Sequence, residues 1–331
     1  MYLKQLDNKA KILAVAPMMD WTDRHCRYFH RHLSHDALLY TEMVVADALI
    51  HGDPARHLDF DATEHPIALQ LGGNEPEKLA RAVKIAAPWS YDEINLNVGC
   101  PSDRVQSGTF GACLMREPIL VADIVKAMKD VSEVPVTVKC RLGVDDQDAQ
   151  AALDDVAGVC FEAGVDGLWV HARKAWLQGL SPKQNREVPP LDYDRVSRLK
   201  RDWPDRFIGL NGGLTTVEAA QEALLWADGV MIGRAAYQTP RFLAQLQRSM
   251  FPRLAEPLDD AQLRDVMMEY SRRHLADDGR LHHVTRHMIG LFAGEPGARQ
   301  FRRILSVDAS SAQADETVIA DAFDAIQSLA A

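Results

Sequence analysis

Residues 66–100, PIALQLGGNEPEKLARAVKIAAPWSYDEINLNVGC, decide the fold. They open on an apolar run, 66–73, that turns polar or permissive only at Gln70, Gly72 and Gly73. An amphipathic stretch follows, with Asn74 placed to cap a helix and acids in its first turn. A second apolar run, 92–100, ends in Asn95, Asn97 and Cys100. Continuous apolar runs of this length are strands buried on both faces, and a helix between two of them makes a parallel pair.

Working outward, the same unit recurs. Strand-like runs lie at 12–20, 37–43, 66–73, 92–100, 134–143, 165–173, 206–213 and 228–237. Helical patterns such as EPILVADIVKAMKDV, DDQDAQAALDDVAGVCFEAG and TTVEAAQEALLWA separate them. Eightfold strand–helix alternation predicts an α/β fold, a (β/α)8 TIM barrel. After about residue 240 strand signals stop and helical ones continue: 239–251, 259–279, 281–294, 297–306 and 314–331. The expected division is therefore a catalytic barrel, 1–240, and a small all-α domain, 241–331, with a linker at 251–260.

Bulk composition narrows the class. The chain is 331 residues, 47% hydrophobic and 25% charged, which is globular. It has no apolar run long enough to span a bilayer and no signal-type leader, so a cytoplasmic protein is expected. Five cysteines without a C-x-x-C pair argue against a disulfide framework or a zinc knuckle, and no metal is expected. Net charge is −10, which alone argues against nucleic acid. Residues 271–303 run the other way, with seven arginines against three acids and four histidines besides.

In barrels the chemistry sits at the carboxyl ends of the strands. Here those ends carry Pro17, Met18, Met19; Thr41, Glu42; Gln70; Asn95, Asn97, Cys100; Lys139, Arg141; His171, Arg173; Asn211, Gly212, Gly213; and Gly233, Arg234. A lone Gln, Asn or His at a strand end is commonly a cap or is solvated. Eight consecutive strands contributing to one rim form the pattern of a site. Glycines ending the last two strands, with Arg234 beside them, suit a phosphate. Lys139, His171 and Gln70 suit an electron-rich heterocycle such as reduced flavin, although a sugar phosphate also fits.

These motifs together, with DEINLNVGCPSDRVQSGTFGACLM, HARKAWLQGLSPKQNREVPPLDY and HVTRHMIGLFAGEPGARQFRR, resemble bacterial tRNA-dihydrouridine synthases of the A subfamily over residues 12 to 305. The resemblance implies an FMN-binding barrel and a helical tRNA-binding domain. It implies NADPH-dependent reduction of the uracil 5,6 double bond in the tRNA D-loop, at positions 20 and 20a. It assigns Pro17, Met18, Met19, Gln70, Lys139, His171, Asn211, Gly212, Gly213, Gly233 and Arg234 to the flavin pocket, and Cys100 to catalysis as the acid. Asn97, Lys183, Arg186, Arg299 and Arg302 become tRNA contacts, and no obligate protein partner is implied. Arg286 and Arg303 are further candidates for holding the tRNA backbone while the base is flipped out.

The resemblance gives the lone thiol a task. Reduced flavin delivers a hydride to carbon 6, and a proton must reach carbon 5 from a group protonated at neutral pH. A free thiol, with a reference pKa of about 8.5, satisfies this. The following loop, with Gly108 and Gly111, is expected to let it swing. Cys113 and Cys140 read as core thiols, Cys140 pointing away from Lys139. Two rival readings share parts of this pattern. A flavin barrel reducing a free pyrimidine or enone has no use for the basic segment. A tRNA-binding protein without chemistry has no use for Cys100, Lys139, His171 and Gln70 together.

Overall fold

The computed structural model describes residues 10–102, 109–251 and 256–330, the last four by backbone alone. Eight strands form a closed parallel barrel in sequence order. They are β1 (Ile12–Val15), β2 (Leu38–Val45), β3 (Ile67–Gly72), β4 (Glu93–Val98), β5 (Val136–Arg141), β6 (Gly167–His171), β7 (Phe207–Asn211) and β8 (Gly229–Ile232). β8 closes on β1, pairing Val15 with Ile232. The barrel expected from the apolar runs is thus borne out.

Register positions the rim. Gln70 lies opposite Asn95, Asn97 opposite Lys139, Arg141 opposite His171, and His171 opposite Asn211. Because successive side chains alternate between faces, Glu93, Asn95 and Asn97 share one face of β4, and Thr137, Lys139 and Arg141 one face of β5. An apolar plug of Ile12, Ala14, Leu38, Tyr40, Ala68, Trp169 and Met231 fills part of the core. Trp169 fits only because Gly209 has no side chain: a Cβ there would lie 2.2 Å from the Trp169 ring.

The expected boundary at residue 240 splits the chain into two consecutive segments. Its contacts group it differently. Leu38–Gly233 and the β1 segment ending at Met19 form one compact unit, while Asp20–Ala37 joins Arg234 onward in the second. Helix Arg24–Leu33, absent from the sequence reading, explains the difference. Its Tyr28 stacks on Tyr270 with centroids 3.9 Å apart, and Trp21 stacks on Tyr237 at 4.3 Å. Beyond its end, Gln247 accepts from the Ser34 hydroxyl at 2.7 Å and donates to Asp36 at 2.6 Å.

Other local expectations shift. Helix Pro76–Ala86 starts after Glu75 with proline at its first position, so Asn74 is not its cap. Thr216 does cap helix Val217–Leu224, accepting from Ala219 N–H at 3.2 Å. The stretch 281–294 is not one helix. Leu281–Thr285 is helical, and turns follow through Gly294, whose φ is +88°. At Gly290 a Cβ would meet the Gln238 carbonyl oxygen at 2.5 Å, so close backbone packing replaces helix there. Residues 252–255 of the expected linker lie outside the described residues. Helix Thr317–Ala330 gives the C-terminal residues a role that carries no motif: Phe323 meets Phe292 and Phe301, all three rings edge to face.

Candidate active site at the barrel mouth

Cys100 lies two residues past the end of β4, and its backbone is held from both sides. Its N–H and that of Gly99 donate to Asn97 Oδ1 at 2.9 and 3.0 Å, closing a side-chain turn. Its carbonyl accepts from Ala112 N–H at 2.9 Å. Arg141, buried to 4% exposure, donates Nε to the Gly99 carbonyl at 2.9 Å. The thiol itself is partly exposed and lies 3.5 Å from the Ser102 hydroxyl. Residues 103–108, including Gly108 of the expected swinging loop, lie outside the described residues; Gly111 takes φ +60°.

The other thiols behave as core. Cys140 and Cys160 are buried, and burial pushes Cys140 up to about 12 and Cys160 further still. Cys113 is half-buried, and burial raises its pKa also. Only Cys100 ends a strand at the rim.

Lys139 reaches across the mouth and donates to Asn211 Oδ1 at 2.9 Å, while Asn211 donates to the Met231 carbonyl at 2.7 Å. Burial lowers the Lys139 ammonium to about 8, and the nearby Arg141 charge pushes the same way. Burial takes His171 well below its ordinary value, and Arg141, Lys139, Arg173 and Arg186 add to this. Arg141 itself is lowered to about 10 by burial. Several cationic groups therefore crowd one mouth in a poorly solvated place, and an anion there would relieve all of them.

The paired glycines end β7. Gly212 has φ +116° and Gly213 φ +69°. A Cβ on Gly212 would sit 2.7 Å from His171 Cδ2, and one on Gly213 2.4 Å from Leu191 Cδ1. Tyr193 fixes this turn by donating to the Gly212 carbonyl at 2.5 Å. Gly233 differs: the nearest atom to an added Cβ would be Ala16 Cβ at 3.9 Å, so the protein alone does not demand glycine. The space it leaves, with the crowded cations, fits an anionic planar cofactor. Gln70 lies at 1% exposure inside the rim, and Pro17 and Met18 are half-buried after β1. Arg234 follows Gly233 and opens the short helix Arg234–Gln238.

Lys183 and Arg186 are exposed and flank the buried Asn185. Asn185 clamps Trp176 by accepting from its N–H at 2.7 Å and donating to its carbonyl at 2.8 Å. Arg141 donates to the carbonyls of Lys174 and Asn185 at 3.1 and 2.9 Å. One buried arginine thus ties the Cys100 turn to this basic loop. In the second unit, Arg299 and Arg302 lie one turn apart on helix Ala298–Val307 and are exposed, with no ion pair among the described residues. Arg286 and Arg303 are engaged, with Asp23 at 2.5 Å and Asp308 at 3.3 Å. The sequence reading gave no role to Glu93, Thr137 or Tyr193. The E-x-N-x-N alternation of β4 was the available signal for Glu93.

A closed parallel barrel with a thiol and several cationic groups at the carboxyl ends of its strands has the layout of a barrel enzyme. Comparison with known proteins gives its kind: the dihydrouridine synthase (Dus) family profile matches residues 14–327, and the chain belongs to that family of oxidoreductases. A tRNA-dihydrouridine(20/20a) synthase of Shewanella oneidensis is 52% identical over 320 residues, 97% of this chain and 95% of the relative. Proteins of the same name from Pseudomonas aeruginosa and Escherichia coli O6:H1 are each 54% identical, covering 90% and 92% of this chain and the same shares of their own. The resemblance drawn from the motifs is borne out. Among the described residues no helix is long and apolar enough to cross a membrane.

Proposed function

We propose that this protein reduces uridine to dihydrouridine in the D-loop of cytoplasmic tRNA, at positions 20 and 20a. The observation that carries the reading is the juxtaposition at the mouth of Cys100, held in a turn by Asn97, with Lys139 in register beside Asn97. The relatives that share nine-tenths or more of its length carry that activity in their name.

FMN would be held by Pro17, Met18, Met19, Gln70, Lys139, His171, Asn211, Gly212, Gly213, Gly233 and Arg234. The chemistry it supplies when bound is hydride delivery to carbon 6 of uracil, renewed by NADPH. Lys139 offsets negative charge, and its lowered pKa means that an anion beside it restores a full positive charge. Burial, with the neighbouring Arg141 and Lys139 charges, holds His171 well below its ordinary value. Cys100 is the acid that hands its proton to carbon 5. Asn97 contacts the target nucleotide; its side-chain oxygen already accepts two backbone N–H bonds and its amide nitrogen donates once to Gln70, so what it offers is the second amide N–H. Lys183, Arg186, Arg299 and Arg302 hold the tRNA backbone, where cationic side chains position without reading sequence.

The test uses tRNA from a strain lacking this gene, incubated with the protein and NADPH and mapped for dihydrouridine by position. The expected product lies at positions 20 and 20a and is missing with Cys100→Ala. A yellow protein that NADPH reduces, but that leaves every tRNA unchanged, would move the reading to a small-molecule reductase.

A further inference from the structure

Below the mouth a line of hydrogen bonds runs down the inside of the barrel. Gly99 and Cys100 N–H donate to Asn97 Oδ1. Asn97 Nδ2 donates to Gln70 Oε1 at 2.8 Å, and Gln70 Nε2 donates to Asn95 Oδ1 at 2.8 Å. Asn95 Nδ2 donates to the Thr137 hydroxyl at 2.7 Å, which donates to Glu93 Oε1 at 2.5 Å. The Tyr40 hydroxyl donates to the same carboxyl oxygen. Tyr40, Glu93, Asn95 and Thr137 are fully buried, and Gln70 is 1% exposed.

We propose that Glu93 is a positioning residue for the reaction, acting through Thr137, Asn95, Gln70 and Asn97 to fix the turn that carries Cys100. Backbone N–H groups can only donate, and they fix the upper end. The carboxyl oxygen, accepting from two hydroxyls, fixes the lower end. Between them each amide has one orientation that satisfies both neighbours, and a flip of Asn95, Gln70 or Asn97 would set donor against donor and acceptor against acceptor. Water does not compete there, and bonds in such a line polarise one another. A simpler purpose, filling the core, would be met by apolar side chains without the cost of burying five polar ones. The line ends at the two N–H groups that seat the thiol and passes through Gln70 and Asn97, which the proposed function gives to the flavin and the target nucleotide.

The proposal rests on the function above only for its effect on turnover, so the test has a second arm. Thr137→Val keeps the volume and removes the hydroxyl, breaking the line at its middle; Thr137→Ser keeps the hydroxyl. Should the valine variant fail to fold, Thr137→Ala breaks the same link. On the flavin-loaded enzyme, breaking the line is expected to lower kcat for dihydrouridine formation about tenfold, with KM for tRNA and flavin content within about twofold of the parent. Cys100 alkylation by iodoacetamide, followed at that residue by mass spectrometry, is expected to quicken severalfold as the turn loosens. Thr137→Ser restores both. A folded hydroxyl-less variant with parental kcat and parental Cys100 alkylation, whatever its Tm, overturns the proposal, as does a serine variant that behaves like valine. If the parent enzyme makes no dihydrouridine, the proposed function fails and the alkylation arm still decides the positioning role.

Discussion

The barrel mouth and the arginine-rich segment 271–303 are both polar, yet they are assembled in opposite ways. At the mouth the partners sit on neighbouring strands at fixed register, as with Gln70 and Asn95 or Asn95 and Thr137. In 271–303 the partners come from anywhere: Arg286 finds Asp23, 263 positions earlier, while Arg272 finds Glu269 three away. Both kinds of pairing satisfy polar groups, but only the first follows from strand register. A site laid on a closed sheet inherits its geometry from alternation. A charged surface is whatever local pairing leaves over.

The sharpest way to break this contrast is at the thiol. Cys100→Ala removes one proton donor and leaves the β4 register and the cation-lined mouth intact. Turnover should fall by about 10²–10⁴ while flavin content stays at its parental value. Loss of flavin along with turnover would mean that the thiol holds the mouth together.

The glycines come next, because they separate what the protein needs from what a ligand needs. Gly212→Ala meets both a positive φ and the His171 ring, and strain of about 1–3 kcal/mol should appear as a lower Tm and weaker flavin retention together. Gly233→Ala meets only Ala16, at ordinary distance. Its stability should stay within about 0.5 kcal/mol of the parent, while flavin affinity falls. Parental flavin retention in Gly233→Ala would remove Gly233 from the pocket.

These two glycines also mark how far the sequence could be read. The eight strands were legible because each is a short apolar run turning polar at one end, and the rim residues followed from knowing which end that is. Helix Arg24–Leu33 was not legible: the face that meets Tyr270 and the other rings of its own unit is made of Tyr28 and histidines rather than an aliphatic stripe. Burial lowers His25 and His30 to about 3, so residues that look like surface charge pack as neutral rings. Glu93 was hidden for a related reason. An acid at the start of a strand looks like a turn residue until the register shows Thr137 and Tyr40 converging on it.

In the basic segment the expected effects are smaller and graded by local pairing. Arg299→Ala with Arg302→Ala should weaken tRNA binding and reduce the salt slope by about one per lost phosphate contact. Arg303→Ala, which mainly frees Asp308, should change the slope little. Filter binding at several salt concentrations, with the flavin spectrum as control, reads this directly. Equal slopes for all three arginines would mean that tRNA outcompetes the Asp308 pair, and that local pairing does not choose the binding residues.

The smallest expected effect is a pH dependence, and its sign is fixed by Lys139. Its folded pKa of about 8 lies below the ordinary 10.5, so between those values the unfolded chain holds a proton that the folded chain has released. Stability of the flavin-free protein therefore rises with pH through that window. An anionic cofactor acts the other way. It binds the charged lysine better, so its affinity is level below about pH 8 and falls above it by at most about tenfold per unit. His171, held well below its usual range, contributes no bend near neutrality. Titrating flavin affinity and Tm side by side from pH 7 to 9 should give slopes of opposite sign, and Lys139→Met should flatten both. A Met variant that keeps the affinity bend would place the titrating group elsewhere and take from Lys139 its part in balancing the cofactor's charge.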